Sequence, residues 1–183
     1  MSNFFPEDNK EDVGGYMKFA AGANSFRILS QAVGGWEYWH EDKDGNRKPI
    51  RKHFNEDLIL SEIQEPEKVK KFLAFVVWNY DEKAIQILEI TQKGIKKSLK
   101  ALVDNKKWGS PVNKYDITVT REGEGLKTKY TVQPDPAEPT SKEITAAFKQ
   151  VPVNLEALFN GANPFALISN KMNENVNPDD VPV

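Results

Sequence analysis

Residues 71–91 have the sequence KFLAFVVWNYDEKAIQILEIT, which predicts a β-hairpin at the centre of the fold. An apolar, aromatic run over residues 72–80 is followed by a polar break at residues 81–83, and a second apolar run covers residues 84–91. Two such runs joined by a short polar turn are typical of two antiparallel strands. We therefore expect the other elements to pack around this pair of strands.

Strand alternation assigns the side chains of this hairpin to two faces. The face that includes Trp78 consists of Phe72, Ala74, Val76, Trp78 and Tyr80. A three-residue turn would set Trp78 opposite Gln86, on a wetter side suited to a ligand, whereas a four-residue turn would set it opposite Ile87 and bury it. The sequence leaves both registers open.

A long, bent strand is predicted before the hairpin. Residues 24–33 alternate in strand fashion, Gly34 and Gly35 interrupt the pattern, and the aromatic residues 36–39 resume it. Paired glycines inside a strand indicate a bulge or a sharp bend. After a turn at residues 40–46, residues 47–54 predict a short edge strand, because a proline such as Pro49 is tolerated in a sheet only at its edge.

A helix and a second hairpin are predicted after residue 91. Thr91 is a plausible N-cap, and the spacing of Ile95, Leu99, Leu102 and Val103 gives one apolar stripe that ends near residues 104–105. The lysines between these positions are expected on the solvated side. Residues 116–133 then alternate as two strands around a glycine-containing turn at residues 122–125.

This order of elements predicts a mainly β protein with the OB-fold, a five-stranded Greek-key barrel with one helix between strands 3 and 4. A generic small α+β domain with the same elements is the alternative. The predicted organisation is a flexible N-terminal arm at residues 1–15 and the OB-fold nucleic-acid-binding domain at residues 16–133. A proline-rich linker with short helices follows at residues 134–165, and a disordered, mildly acidic tail at residues 166–183.

The composition argues against several classes of function. The 183 residues include no cysteine and only two histidines, so a disulfide, a thiol nucleophile or a zinc centre built from these residue types is not expected. The chain also has no GxxxxGK[ST] phosphate-binding motif. We therefore predict a protein that is not an enzyme and uses no cofactor or metal. The longest apolar run, residues 72–78, is too short to span a membrane, which favours a cytosolic protein.

The charge is distributed unevenly along the chain. The formal charge is −3 over residues 1–12 and −4 over residues 134–183, which leaves +5 for residues 13–133. Imbalances of this size are common on solvated surfaces. The sharper interpretation is a core that binds a polyanion, with acidic ends that compete for the same surface.

Aromatic and basic residues together suggest that single-stranded nucleic acid is the ligand. Aromatic side chains stack on unpaired bases, and lysine or arginine neutralises the phosphates. For any single tryptophan in a strand, a place in the core is the more common outcome. The candidate binding residues are Trp36, Tyr38, Trp39, Arg47, Lys48, Arg51, Lys52, Trp78, Tyr80, Lys93 and Arg121.

Several ordered blocks of the chain resemble bacteriophage-encoded single-stranded DNA-binding proteins, which have the OB-fold. The blocks are FRILSQAVGGWEYW, AFVVWNY, IQILEITQKGIKKSLKALVDN, YDITVTREGEGLKTKYTV and NLEALFNGANPF. The resemblance implies a protein that coats and protects DNA strands during replication or recombination in the cytoplasm of an infected bacterium. It also implies partners from replication or recombination, reached through the C-terminal tail. The tail differs from that of the phage T7-type proteins, because it ends in NPDDVPV without a terminal aromatic residue. The alternative function is an OB-type adaptor between proteins in such a complex.

Overall fold

The computed structural model describes residues 15–165. The flexible arm and the disordered acidic tail predicted from the sequence lie outside the described residues, apart from Gly15. Among the described helices, none combines the length and the apolar character needed to cross a membrane.

Residues 15–165 form a mainly β structure, as the sequence predicts. The seven strands are β1 (Gly22–Ile28), β2 (Val33–Glu41), β3 (Arg47–His53), β4 (Lys70–Asn79), β5 (Ala84–Ile90), β6 (Asp116–Glu122) and β7 (Lys129–Pro134). The two α-helices are α1 (Lys93–Asp104) and α2 (Lys142–Gln150). Four 3-10 helices are Leu60–Glu62, Pro66–Lys68, Gly125–Lys127 and Leu155–Phe159. The N-cap of α1 is Gln92, one residue after the predicted Thr91.

All seven strands belong to one antiparallel sheet, in the order β3-β2-β4-β1-β6-β7 with β5 on β4. The first half of β4 pairs with β2 and its end pairs with β1, while β5 lies along its other edge. The sheet is open, because no pairing among the described residues joins β5 to β7. Tyr16 forms a parallel bridge with Ile87 of β5, and α1 packs against β7.

The long bent strand predicted over residues 24–39 is two strands, β1 and β2, separated by residues 29–32. Gly35 shows why glycine is needed near the bend. A Cβ at this position would lie 2.1 Å from the carbonyl oxygen of Lys52 on β3 and 3.0 Å from the ring of Phe159. β3 is confirmed as an edge strand that carries Pro49.

Two apolar layers cover the two faces of β4. The first is built around Phe26, Phe75, Leu88, Ile95 and Tyr115, beneath α1. The second layer consists of Phe72, Ala74, Val76, Trp78, Ile85 and Ile87 with Ile144, Leu155 and Leu158 from the C-terminal segment. β4 is therefore buried on both sides, which explains its nearly continuous apolar sequence.

The C-terminal segment packs back onto the sheet instead of extending from it as a linker. The backbone N–H of Asp135 donates to the carbonyl of Asp116, and that of Glu138 donates to the carbonyl of Lys114. Ser141 caps α2 by accepting from the N–H of Ile144. Residues 134–165 thus complete the second apolar layer.

Candidate nucleic-acid interface

One face of β2 and β3 combines aromatic and basic side chains. Trp36 is paired with Lys52, Tyr38 with Ile50, and His40 with Lys48, and paired residues project to the same side of a sheet. The predicted residues Trp36, Tyr38, Lys48 and Lys52 are therefore brought together. This surface is called the aromatic face below.

Trp36 lies in a small cluster at the inner end of the aromatic face. Its ring meets the ring of Phe54 edge-on, with 5.6 Å between centroids and an interplanar angle of 82°. The Lys71 Nζ lies 5.2 Å from the centroid of the Trp36 ring, within cation–π range. Phe54 is 52% exposed, so a flat apolar surface remains open beside a positive charge.

A groove with a volume of about 750 Å³ continues from this cluster to α1. Phe54 and Lys71 line its near end. Its apolar lining includes Leu73, Leu99, Val103 and Val112, and its basic residues are Lys71, Lys96, Lys97 and Lys100. We call this cavity, between α1 and the loop that joins β1 to β2, the α1 groove.

The lysines of the α1 groove lie close to one another, so positive charge is concentrated there. The Lys96 Nζ donates to the carbonyl of Lys71 at 2.7 Å. Partial burial, together with the positive charges of Lys71 and Lys93, lowers the pKa of Lys96. Asp104 offsets part of this charge through its 2.6 Å ion pair with Lys100. A bound phosphate would relieve the remaining repulsion.

The opposite face of β2 and β3 holds a buried ion cluster. The Arg51 Nε donates to Glu37 at 3.0 Å, and its Nη2 donates to Glu89 of β5 at 2.5 Å. The Arg51 side chain is only 10% exposed, and its Nε and Nη2 already have carboxylate partners. Arg51, predicted as a phosphate contact, is instead an internal link between β3, β2 and β5.

Burial of Glu37 and its hydrogen bond to Glu89 raise the pKa of Glu37 from 4.5 to about 8. The folded protein therefore binds more protons than the unfolded chain between these two values. We expect the free energy of unfolding to fall as the pH is raised from 4.5 to 8, and Glu37→Gln to flatten this dependence. Urea titrations across that range test the expectation, with the exposed Glu56→Gln as a control. An unchanged slope in Glu37→Gln would refute it.

Trp39 and Arg47 also lie on the side of the ion cluster, away from Trp36. Trp39 is 47% exposed, and the Arg47 guanidinium lies 6.0 Å from the centroid of its ring. Arg47 also pairs with Glu65 at 3.4 Å. These two predicted residues are exposed but are separated from the aromatic face by the sheet itself.

Trp78 is in the core and not on a ligand-facing surface. The hairpin turn has four residues, 80–83, and Trp78 lies opposite Ile85, a register that neither predicted pairing included. Trp78 is 5% exposed and packs in the second apolar layer, so its ring faces are not open to a base.

Tyr80 is engaged within the protein. Its hydroxyl donates to the Asp116 carboxylate at 2.9 Å, and the same carboxylate accepts from Arg27 at 2.6 Å. Burial and Asp116 raise the pKa of Tyr80 to about 12. Tyr80 therefore links the end of β4 to β6 through a polar network, and it does not present its ring beside Trp36.

The last two predicted residues differ in their placement. Lys93 begins α1 and is close enough to add its charge to the environment of Lys96. Arg121 is on β6, and its Nη1 donates to the carbonyl of Phe19 at 3.0 Å, away from the α1 groove. Arg121 thus holds the N-terminal lead-in segment to the sheet.

Sequence reasoning missed five residues of the candidate interface: Phe54, Lys71, Lys96, Lys97 and Lys100. The three α1 lysines follow a pattern that also describes an ordinary solvated helix side. In the folded protein, Phe54 after β3 and Lys71 at the start of β4 lie across from these lysines, so that α1 becomes one wall of a groove. A signal was present in the alternation of β2 and β3, which places Trp36 and Lys52 on one face and Arg51 on the other.

Comparisons with known proteins identify no protein similar to this chain. No protein-family model matches the chain, and no curated protein and no solved structure matches it.

Proposed function

We propose that the protein binds single-stranded DNA across the aromatic face and the α1 groove, and that it does so without catalysis. The observation that carries the proposal is the cluster of Trp36, Phe54 and Lys71 at the junction of these two surfaces. The rings offer a surface on which an unpaired base can stack. The lysines of the groove supply the cations that neutralise its phosphates.

The arrangement of strands supports an OB-type assignment as part of this proposal. β1, the β4–β5 hairpin, α1 and the β6–β7 hairpin follow the OB order of five strands with a helix between the third and the fourth. The β2–β3 hairpin is then an insertion between the first two of those strands. The outer face of β4 and β5 is covered by α2 and the 3-10 helix Leu155–Phe159. We therefore propose that single-stranded DNA binds to the inserted β2–β3 hairpin and to α1.

The resemblance to phage single-stranded DNA-binding proteins supplies the biological context of the proposal. In that context the protein coats and protects exposed strands during phage DNA replication or recombination. The aromatic face and the lysines of the α1 groove suit such a role. They recognise bases and phosphates, which every unpaired strand has, whatever its sequence.

Quenching of tryptophan fluorescence by oligo-dT tests the proposal. We expect saturable quenching at low salt and an affinity that falls as salt is raised, because cation release drives part of the binding. Competition with matched RNA and duplex DNA measures the preference for unpaired DNA. Absence of quenching at low salt, or binding that does not respond to salt, would refute the proposal.

An adaptor between proteins is the second candidate, because the α1 groove has an apolar lining and Val103 at its edge is exposed. Apolar grooves also receive the apolar side chains of protein partners. A variant that no longer binds oligo-dT separates the two functions. If that variant still captures a replication or recombination protein as well as the unaltered chain does, the adaptor function is favoured.

A further inference from the structure

The α1 groove differs from the aromatic face in depth and in lining. Trp36 and Tyr38 are half-buried side chains on a strand, whereas the groove is a cavity of about 750 Å³ between α1 and the segments around residues 30–32 and 110–112. That volume is within the range of small-molecule pockets, roughly 300–1,000 Å³. Electrostatic attraction of a DNA backbone requires a charged surface but no such cavity.

The charged and the apolar residues of the groove suit two different parts of a nucleotide. Four lysines and Asp104 line it, a formal charge of +3, which favours a negatively charged occupant. Its lining includes Leu73, Leu99 and Val103, whose apolar surface favours an apolar group over a hydrated one. An unstacked nucleobase that packs on the apolar residues while its phosphates contact the lysines satisfies both requirements at once.

We propose that the α1 groove is a nucleobase pocket, into which bases of the bound single strand turn while their phosphates contact Lys71, Lys96 and Lys97. The inference rests on the proposed function and specifies its mode of recognition. Turning a base out of a duplex costs unstacking and unpairing energy, and this cost is smallest for a strand that is already single. The pocket therefore selects unpaired strands by access to the base and not by charge alone.

Oligomers with missing bases test the pocket. One probe is oligo-dT of about a dozen nucleotides, within the range of OB-fold site sizes of about 4–16. The other has the same length and charge but carries abasic residues at its centre. We expect the abasic oligomer to bind roughly tenfold more weakly or worse, because a stacked base makes a contribution of that order.

Two tryptophan variants of α1 locate the effect. Val103→Trp places an indole at the edge of the groove, while Ala101→Trp adds the same side chain to an exposed position of the same helix that does not line it. We expect the affinity ratio of the two oligomers to fall in Val103→Trp and to keep its original value in Ala101→Trp. Thermal unfolding of both variants tests whether they remain folded.

The outcomes separate the pocket from the proposed function. If oligo-dT binds with strong salt dependence but the abasic oligomer binds equally well, the pocket is refuted together with base stacking on the aromatic face, and only the neutralisation of phosphates by the lysines stands. A ratio that persists or rises in Val103→Trp also refutes the pocket, because the bases then stack elsewhere. If neither oligomer binds at low salt, the proposed function itself fails.

Discussion

Replacing Lys71, Lys96 and Lys97 together by glutamine is expected to abolish most of the binding of oligo-dT at physiological salt. Each lysine that contacts a phosphate contributes about 0.7 to the slope of log affinity against log salt, so the slope should fall by about two. Charge-assisted hydrogen bonds are worth about 1.5–3 kcal/mol each. The triple variant should therefore lose at least about a thousandfold in affinity. Fluorescence titrations at several salt concentrations measure both quantities.

A matched triple variant controls for the change in net charge. Lys129, Lys142 and Lys149 are exposed on β7 and α2, and their replacement by glutamine removes the same three charges. We expect this control to keep the original slope. Equal losses in both triple variants would mean that binding follows overall charge, which would contradict a local interface. Surface changes of this kind should alter the free energy of unfolding by only about 0.5 kcal/mol each.

The strands and the first helix could be predicted because their patterns are local. Alternation over residues 116–133 and the apolar stripe of α1 each repeat within a single element, so neighbouring residues specify them. The edge position of β3 follows from Pro49 alone. The open form of the sheet is harder to predict from the sequence, because it depends on contacts between segments that are far apart in the chain. Examples are the bridge between Tyr16 and Ile87 and the packing of α1 on β7.

The burial of Trp78 shows what alternation alone does not reveal. A strand with one wet face alternates, but residues 72–78 are apolar without a break, a pattern typical of strands buried on both faces. The cover on the second face comes from Ile144, Leu155 and Leu158, more than sixty residues later in the chain. For the same reason, the sequence alone did not predict the place of the α1 lysines in a groove. Phe54 and Lys71, which come from other elements, complete that groove.

Trp78→Ala is expected to destabilise the fold and to leave the intrinsic affinity for DNA unchanged. Truncating a buried tryptophan costs about 3–5 kcal/mol, because the lost apolar contacts are accompanied by a cavity. Trp78 is 5% exposed and packs with Ile85 and Ile144, so we expect a loss within that range. Denaturant unfolding measures the stability, and titration with oligo-dT at a temperature where the variant is folded measures the affinity.

Trp36→Ala is the matched comparison, since it removes the same side chain from a half-buried position on the aromatic face. We expect the reverse outcome: a smaller loss of stability, and an affinity for oligo-dT weakened by about 1–3 kcal/mol, the contribution of one base stack. The two variants together decide which side of the sheet carries the ligand. If Trp78→Ala weakens binding while folded and Trp36→Ala does not, the bases contact the β4–β5 side. The C-terminal helix α2 would then have to leave that side before DNA could bind.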